Sequence, residues 1–427
     1  MQSYINPPKS DWSDLLQRPR VDVSDLYEKT EAILAEIQQE GDAAVRRYSE
    51  RFDGYRGAEL EVTQAEITQA ETALPEDLKA AIRRAADNIE KFHASQWQPM
   101  QKVETQAGVT CWQKSVPIEK VGLYIPGGTA PLFSTVLMLG IPARIAGCKE
   151  IVLCTPPDEQ GGIHPAILFA ARLAGVQRIF RIGGIQAIGA MAYGTETVPK
   201  MYKIFGPGNR FVTAAKQLVG LKNTAIDMPA GPSEVLVMAD DSANPAFVAA
   251  DLLSQAEHGA DSQVILLSTS DEVLQATLAE VDKQVKQLPR RAGAEGALSD
   301  SRAFLLTSLD EMMEMSNFYA PEHLILSVRN AAEVAEKVVN AGSVFIGHYT
   351  PESAGDYASG TNHTLPTHGH ARSYSGVNLD SYIRKITFQE ITPEGLQELG
   401  PIIETMAEAE LLQAHKNAVS LRLKSLQ

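Results

Sequence analysis

The sequence predicts an α/β fold made of two similar doubly wound lobes, each an incomplete Rossmann-like sheet, with a helical N-terminal segment and a helical C-terminal tail. Three observations lead there. Short apolar runs alternate with helix-length segments across 120–235, and the alternation resumes across 235–346. Strands separated by helices imply parallel sheets covered on both faces. Glycine turns follow three strands of the first run, at 126–129, 183–186 and 206–209. Beyond 379 the pattern stops, and an amphipathic stretch at 402–423 has no strand to follow.

Taken in order, residues 23–52 carry spaced apolar positions and stop at Asp53-Gly54, and a second helical block includes 78–97. Strands are expected at 121–125, 151–154, 178–182 and 203–205. Helices fall at 134–148, 166–175, after the turn at 183–186, and from Arg210 onward. A loop at 226–233 contains Pro229-Ala-Gly-Pro-Ser233. In the second run, strands are expected at 235–238, 262–269, 303–306, 324–328 and 343–346. Helices fall at 246–258, 273–288 and 309–318, with one more before 343, and 290–301 reads as a polar loop. The domain reading is a helical segment, 1–118, contributing to the lobe of 236–378; a first lobe, 119–235; a second lobe, 236–378; and a tail, 379–427. That tail cannot bury its own apolar face, so it must dock on its own body or on a partner.

At 427 residues the chain is too long for one ordinary core. A net charge of −15 with no Lys/Arg cluster argues against nucleic-acid or anionic-membrane surfaces. The N-terminus has no apolar signal core and no run reaches membrane-spanning length, so a cytoplasmic location is expected. Three widely spaced cysteines make neither a disulfide framework nor a CxxC zinc site. Cys111, Cys148 and Cys154 have no nearby base and read as structural.

Candidate chemistry clusters at element junctions, and sites on such sheets are expected in loops at the carboxyl ends of strands. Gln255 and His258 lie three apart at a helix end, so both project from one face. Glu322 and His323 stand side by side where a helix stops and a strand begins, a pairing suited to acid–base work. Asp356 follows a strand, His363 lies in a glycine-rich loop with His368 and His370, and His415 lies in the apolar stripe of the tail. Gln255, His258, Asp356 and His415 make an N/O ligand set suited to Zn²⁺, although spacing does not prove that they converge. Bland readings stand beside these: a water-bathed Glu-His pair, a core histidine at 415 and a packed histidine at 93, while His164 and His348 have no acidic or glycine context that asks for a role. No GxGxxG follows any strand, so the glycine turns are equally cofactor-lining loops or simple βα turns. On residues alone, a zinc hydrolase with Glu322 as base and a two-lobed binding protein remain alternatives.

Longer motifs narrow this. Val-Gly-Leu-Tyr-Ile-Pro-Gly-Gly (121–128), Gly-Gly-Ile-Gln-Ala-Ile (183–188), Phe-Gly-Pro-Gly-Asn (205–209) and Ile-Asp-Met-Pro-Ala-Gly-Pro-Ser-Glu-Val (226–235) resemble histidinol dehydrogenases. So do Leu-Leu-Ser-Gln-Ala-Glu-His-Gly (252–259), Ala-Pro-Glu-His-Leu (320–324) and Asn-His-Thr-Leu-Pro-Thr (362–367). The resemblance spans essentially the whole chain. It implies a cytoplasmic, zinc-dependent homodimer that oxidises L-histidinol to L-histidine with two NAD⁺, by way of bound L-histidinal. It further implies zinc on Gln255, His258, Asp356 and His415, the last delivered by an exchanged C-terminal tail, and an acid–base pair of Glu322 and His323. Ser233, His363 and Glu410 would join these residues in contacting substrate, and Tyr124, Gln186 and Asn209 would touch NAD⁺ in the lobe 119–235. Two departures are small: Ile185 stands where the family often has Ala, and His368 where a small residue is usual.

Overall fold

The structure, a computed structural model, describes residues 1–19, 24–127, 130–222, 224–228 and 231–427. Val23, Gly128 and Thr129 of the first glycine turn, and Pro229 and Ala230 of the 226–233 loop therefore lie outside the described residues.

Fourteen strands are described: β1 Gln2–Ile5, β2 Lys102–Gln106, β3 Val109–Pro117, β4 Lys120–Tyr124, β5 Glu150–Thr155, β6 Arg178–Arg181, β7 Lys203–Phe205, β8 Ala225–Ile226, β9 Glu234–Ala239, β10 Gln263–Ser268, β11 Arg302–Leu305, β12 His323–Ser327, β13 Ser343–Ile346 and β14 Ile383–Ile391. They form a parallel sheet in the order β6-β5-β4-β7-β8, a parallel sheet in the order β1-β11-β10-β9-β12-β13, and an antiparallel sheet β14-β3-β2. The chain divides into two units. One holds residues 1–96 and 118–382 with both parallel sheets, and the other holds 97–117 and 383–427.

Both parallel sheets are doubly wound. In the first, β5 and β6 add outward from β4 on one side and β7 and β8 on the other; in the second, β9 is the pivot between β10 and β12. Strand β9 shows why two faces are covered. Val235, Val237 and Ala239 enter one apolar cluster with the helix Pro245–Ala256, while Leu236 and Met238 enter another with Met312 and Tyr319. Alternate side chains of a strand point to opposite faces, so a strand apolar throughout needs a layer on each.

The expected strands and helices of both lobes are found, with three differences of substance. The segment 290–301, read as a polar loop, contains the helix Arg291–Ser299, whose Ala294, Ala297 and Leu298 are buried; three short apolar residues carry too weak a pattern to stand out. The N-terminal segment does not serve the second lobe as a whole. Its first residues join that lobe, β1 pairing with β11 and Tyr4, Trp12, Leu15 and Leu16 packing there. The helices Ser24–Glu40 and Asp42–Asp53 bring Leu34, Ile37, Val45 and Tyr48 onto Ile188 and Met191 of the first lobe, and Glu76–Ala94 packs on Phe133–Ala146 there. Finally, neither the region before 118 nor the tail is purely helical, because β2, β3 and β14 form a sheet of their own.

In that second unit, β14 runs antiparallel to β3 from Ile383 opposite Pro117 to Ile391 opposite Val109. The long amphipathic stretch is two helices, Pro393–Ala409 and Gln413–Lys424. The break comes at Leu411, which takes a left-handed φ of 61°. The two helices pack on each other, with Lys416 paired to Glu408. Their other faces expose Ile402, Met406, Leu412 and Leu421, and the sheet exposes Phe388.

Candidate active site

Strands β9 and β12 begin side by side, with His323 opposite Val235 in the parallel register. Glu234, Glu322 and His323 therefore meet at the amino end of the second sheet. The helix Pro245–Ala256 reaches the same end, bringing Gln255 and the following turn with His258. The glycine turns thus follow the carboxyl ends of β4, β6 and β7, whereas Glu322 and His323 lie at the amino end of their sheet. The reason is that a helix C-terminus and the strand it feeds share one edge of a sheet, so Gln255 and His258 can only work at the amino end.

The geometry there is tight and buried. The Gln255 side chain, 1% exposed, donates from Nε2 to the Glu234 carbonyl and to Glu322 Oε2, both at 3.2 Å. Two acceptors settle which end of the amide is nitrogen. Gln255 Oε1 is consequently turned away, buried and without a partner among the described residues. His323 Nδ1 lies 3.1 Å from the Glu234 carbonyl, which can only accept, so Nδ1 carries the ring hydrogen. Gln255 Nε2 is also 3.0 Å from Nδ1. That leaves His323 Nε2 buried and unpartnered among the described residues, 3.8 Å from Asp356 Oδ1. Glu322 Oε2, 3.6 Å from His323 Nδ1, takes the backbone N–H of Glu234 at 2.9 Å.

Nearby lies a group of side chains that could hold a metal ion. His258, Glu352 and Asp356 each offer a ligand atom, all within 4.8 Å of one another. Glu352 was not anticipated, although the helix Glu352–Tyr357 sets it four residues before Asp356, a spacing that stacks two carboxylates on one face. Its carboxyl is buried, with Oε1 unpartnered among the described residues and Oε2 3.4 Å from Ser254 Oγ. His363 is also brought in. Its Nδ1 meets the Asp356 carbonyl at 2.9 Å, and its Nε2 meets Thr135 Oγ1 of the first lobe at 3.0 Å. Asn362 holds that loop by donating to the Met138 carbonyl at 2.6 Å. Ser233, half-buried, directly precedes β9.

Electrostatics follow from burial. Burial, then the nearby charges of Glu234 and Asp356, raise the Glu322 carboxyl well above the usual range, partly offset by its hydrogen bonds. Burial likewise raises Glu352, with Asp356, Glu322 and Asp251 adding to it, and raises Asp251 to about 7. Burial lowers His323 to about 3 and His363 to about 4, and lowers His258. His258 opens to solvent by surface area yet is crowded by neighbouring atoms, and the crowding is what disfavours its charged form. The acids and neutral imidazoles gathered here, together with the unpartnered amide oxygen of Gln255, are a donor set suited to a divalent cation. Oxygen and imidazole nitrogen suit zinc.

In the first lobe, Tyr124 is buried and its hydroxyl accepts the Gly184 N–H at 3.1 Å. Gln186 is fully buried and donates to Asp53 Oδ2 at 2.8 Å, leaving its Oε1 unpartnered among the described residues. Asp53, missed on sequence, reaches this turn from the N-terminal helices. Asn209 is exposed and caps its helix, its Oδ1 accepting from Phe211 and Val212. Ile185 is buried in the lobe core. His370 packs edge-on against Tyr374, while the backbone of His368 donates to Glu234 Oε1 at 2.8 Å. Burial pushes the Cys148 thiol up to about 12 and raises Cys154 further, which fits inert packing. Glu410 and His415 belong to the second unit and are exposed on it.

Comparison with known proteins decides the family. The histidinol dehydrogenase family profile matches residues 16–423. The histidinol dehydrogenase of Bacteroides thetaiotaomicron is 62% identical over 420 residues, 98% of each chain. The chain belongs to the histidinol dehydrogenase family. As a member it is an NAD-dependent oxidoreductase. The Yersinia pestis histidinol dehydrogenase is 54% identical over 396 residues, 92% of this chain and 88% of that one. The crystal structure of the Elizabethkingia anophelis histidinol dehydrogenase matches with a TM-score of 0.98 at 59% identity, covering 100% of this chain and 98% of that one.

Proposed function

We propose that this histidinol dehydrogenase carries out the zinc-dependent, two-step oxidation of L-histidinol to L-histidine through bound L-histidinal, using two NAD⁺, in the last steps of histidine biosynthesis. The observation that carries the reading is that Gln255 Oε1 is buried and unpartnered among the described residues, while His258, Glu352 and Asp356 hold ligand atoms within 4.8 Å of one another and Gln255 Nε2 donates to Glu322. Gln255, His258 and Asp356 would hold zinc together with His415 of the partner subunit. Zinc supplies a fixed positive charge that anchors the substrate nitrogens, and NAD⁺ supplies the hydride acceptor.

The remaining work falls to the chain. His323 is presented neutral, with Nδ1 tied to the Glu234 carbonyl and Nε2 free to take the substrate hydroxyl proton. Glu322 and Asp356, 3.6 and 3.8 Å from its ring nitrogens, stabilise the imidazolium once they are ionised. Glu322, its proton affinity raised by burial, is suited to take a proton from the water that adds to the aldehyde. His323 then takes a second proton in the second oxidation. Ser233, His363 and Glu410 orient the substrate, and enclosure between the lobes keeps the reactive aldehyde from solvent. Tyr124, Gln186 and Asn209, at the three glycine turns, form the NAD⁺ crevice. The exposed apolar residues of the tail helices suit a homodimer in which the tail is exchanged, in the cytoplasm.

The test is NADH formed per L-histidinol consumed, with zinc-loaded enzyme and a chelator-stripped control. Two per substrate, lost on stripping and restored by zinc, supports the reading. One or none overturns the two-step assignment.

A further inference from the structure

The Glu322–His323 pair hangs from two limbs of backbone. One is the start of β9, where the Glu234 N–H binds Glu322 and the Glu234 carbonyl binds His323 and Gln255. The other is the turn Tyr319-Ala320-Pro321, which delivers Glu322 to the edge of the sheet. In that turn Ala320 is held at a left-handed φ of 55°, a conformation a residue with a Cβ resists. One side chain touches both limbs. Arg18, from the N-terminal segment, places Nε 2.5 Å from Glu234 Oε1 and Nη2 2.9 Å from Oε2. The same Nη2 lies 2.8 Å from the Tyr319 carbonyl and 3.3 Å from that of Ala320, and the guanidinium stacks 3.9 Å over the Tyr319 ring.

From this geometry we propose that Arg18 and Glu234 are positioning residues for the reaction: a strut that sets the Glu322–His323 pair by clamping the start of β9 to the turn before Glu322. Neither side chain reaches the reacting atoms. Glu234 is 3% exposed and Arg18 is largely buried, so the pair is shielded from the screening that weakens surface ion pairs. A bidentate guanidinium–carboxylate fork adds direction as well as attraction. Its other bonds tie the strut in place: Glu234 Oε1 also accepts the His368 N–H, and the Tyr319 hydroxyl donates to Gln263 Oε1 at 2.8 Å. Gln263 in turn holds the Gln17 carbonyl at 3.1 Å, locking the segment that carries Arg18. Lysine could keep the charge on Glu234 but could not fork to the carboxylate and reach both carbonyls at once.

The inference rests on the acid–base reading of Glu322 and His323, and the experiment separates the two. Steady-state rates with L-histidinol and with L-histidinal are measured for wild type, Arg18→Ala, Arg18→Lys and Glu234→Gln, each referred to folded protein from its denaturation curve, with His323→Asn as a reference for loss of the pair. Misplacing catalytic groups by about 1 Å costs on the order of 100-fold. Arg18→Ala should therefore lose about that much kcat on both substrates, with KM changed less than about threefold and Arg18→Lys recovering about tenfold of the loss. Glu234→Gln keeps the shape and both backbone bonds, and should fall about tenfold; it stands in for Arg18→Ala if that variant does not fold. A kcat within threefold of wild type in Arg18→Ala and Glu234→Gln, or a loss confined to KM, overturns the strut. Full activity in His323→Asn would instead overturn the acid–base reading and leave the strut without a function.

Discussion

The glycine turn after β7 is pinned by a buried ion pair, and breaking it should separate cofactor binding from substrate binding. Lys216 Nζ lies 2.5 Å from Asp227 Oδ1, with the two side chains 6% and 2% exposed. Lys216 also donates to the Gly206 carbonyl at 2.7 Å, while Asp227 Oδ2 takes the Gly206 N–H and Oδ1 the Met228 N–H, both at 2.8 Å. Gly206 sits at φ 125°, and a Cβ there would lie 2.0 Å from the Tyr124 carbonyl oxygen, so no other residue type fits this approach. Lys216→Met removes one partner of a buried pair, a change that costs about 3–5 kcal/mol. Asp227 keeps two backbone donors, which places the expected loss near ~3 kcal/mol. Asp227→Asn in the same chain removes the stranded charge and should recover ~1–2 kcal/mol of it. Because the turn lies beside Tyr124 and Asn209, KM for NAD⁺ should rise about 5–10-fold, roughly 1–1.4 kcal/mol, while KM for L-histidinol stays put. Denaturant midpoints and initial rates with each substrate varied in turn measure both. A stability loss under ~1 kcal/mol, or equal rises in the two KM values, would refute the reasoning.

Three other outcomes are expected. Glu322→Gln should slow the aldehyde-to-acid step more than the alcohol step; equal losses with histidinol and histidinal supplied separately would count against its role toward water. His415→Ala should weaken zinc retention by removing one of four ligands, and unchanged metal content after dialysis would defeat that assignment. His93 is fully buried, Nδ1 on the Ile89 carbonyl, and burial lowers its pKa. A lowered imidazole pKa means that its contribution is complete above the unfolded value near 6.5 and declines as pH falls, by at most about 1.4 kcal/mol per unit. His93→Gln should therefore flatten the stability loss between pH 7 and 5 relative to wild type, and an unchanged slope would contradict it.

Strand and helix placement in both lobes was legible because buried parallel strands are written locally, as apolar runs closed by glycine turns. Gln255, His258, Glu322, His323, Asp356 and His363 were equally legible, since each stands at a junction where the period changes. What local pattern could not carry was partnership. Strand β14 pairs with β3 across more than 260 residues and is largely exposed, so neither run looks like a strand on its own. The helices 24–94 announce an apolar face but not which lobe receives it.

Distance in sequence hid the supporting residues most completely. Arg18 and Glu234 stand 216 positions apart, Thr135 and His363 228, Asp53 and Gln186 133. None of these pairs has a spacing that signals contact, because hydrogen bonds and ion pairs act over a few ångströms and only folding brings such residues that close. The sequence by itself determined the two doubly wound sheets, the family and the residues able to do chemistry. The tertiary structure alone brought Glu234, Glu322 and His323 together at the amino end of the second sheet, set Glu352 beside His258 and Asp356, and laid Arg18 across the start of β9 and the turn before Glu322. Composition and periodicity report which faces must be buried, whereas a site depends on which buried faces meet.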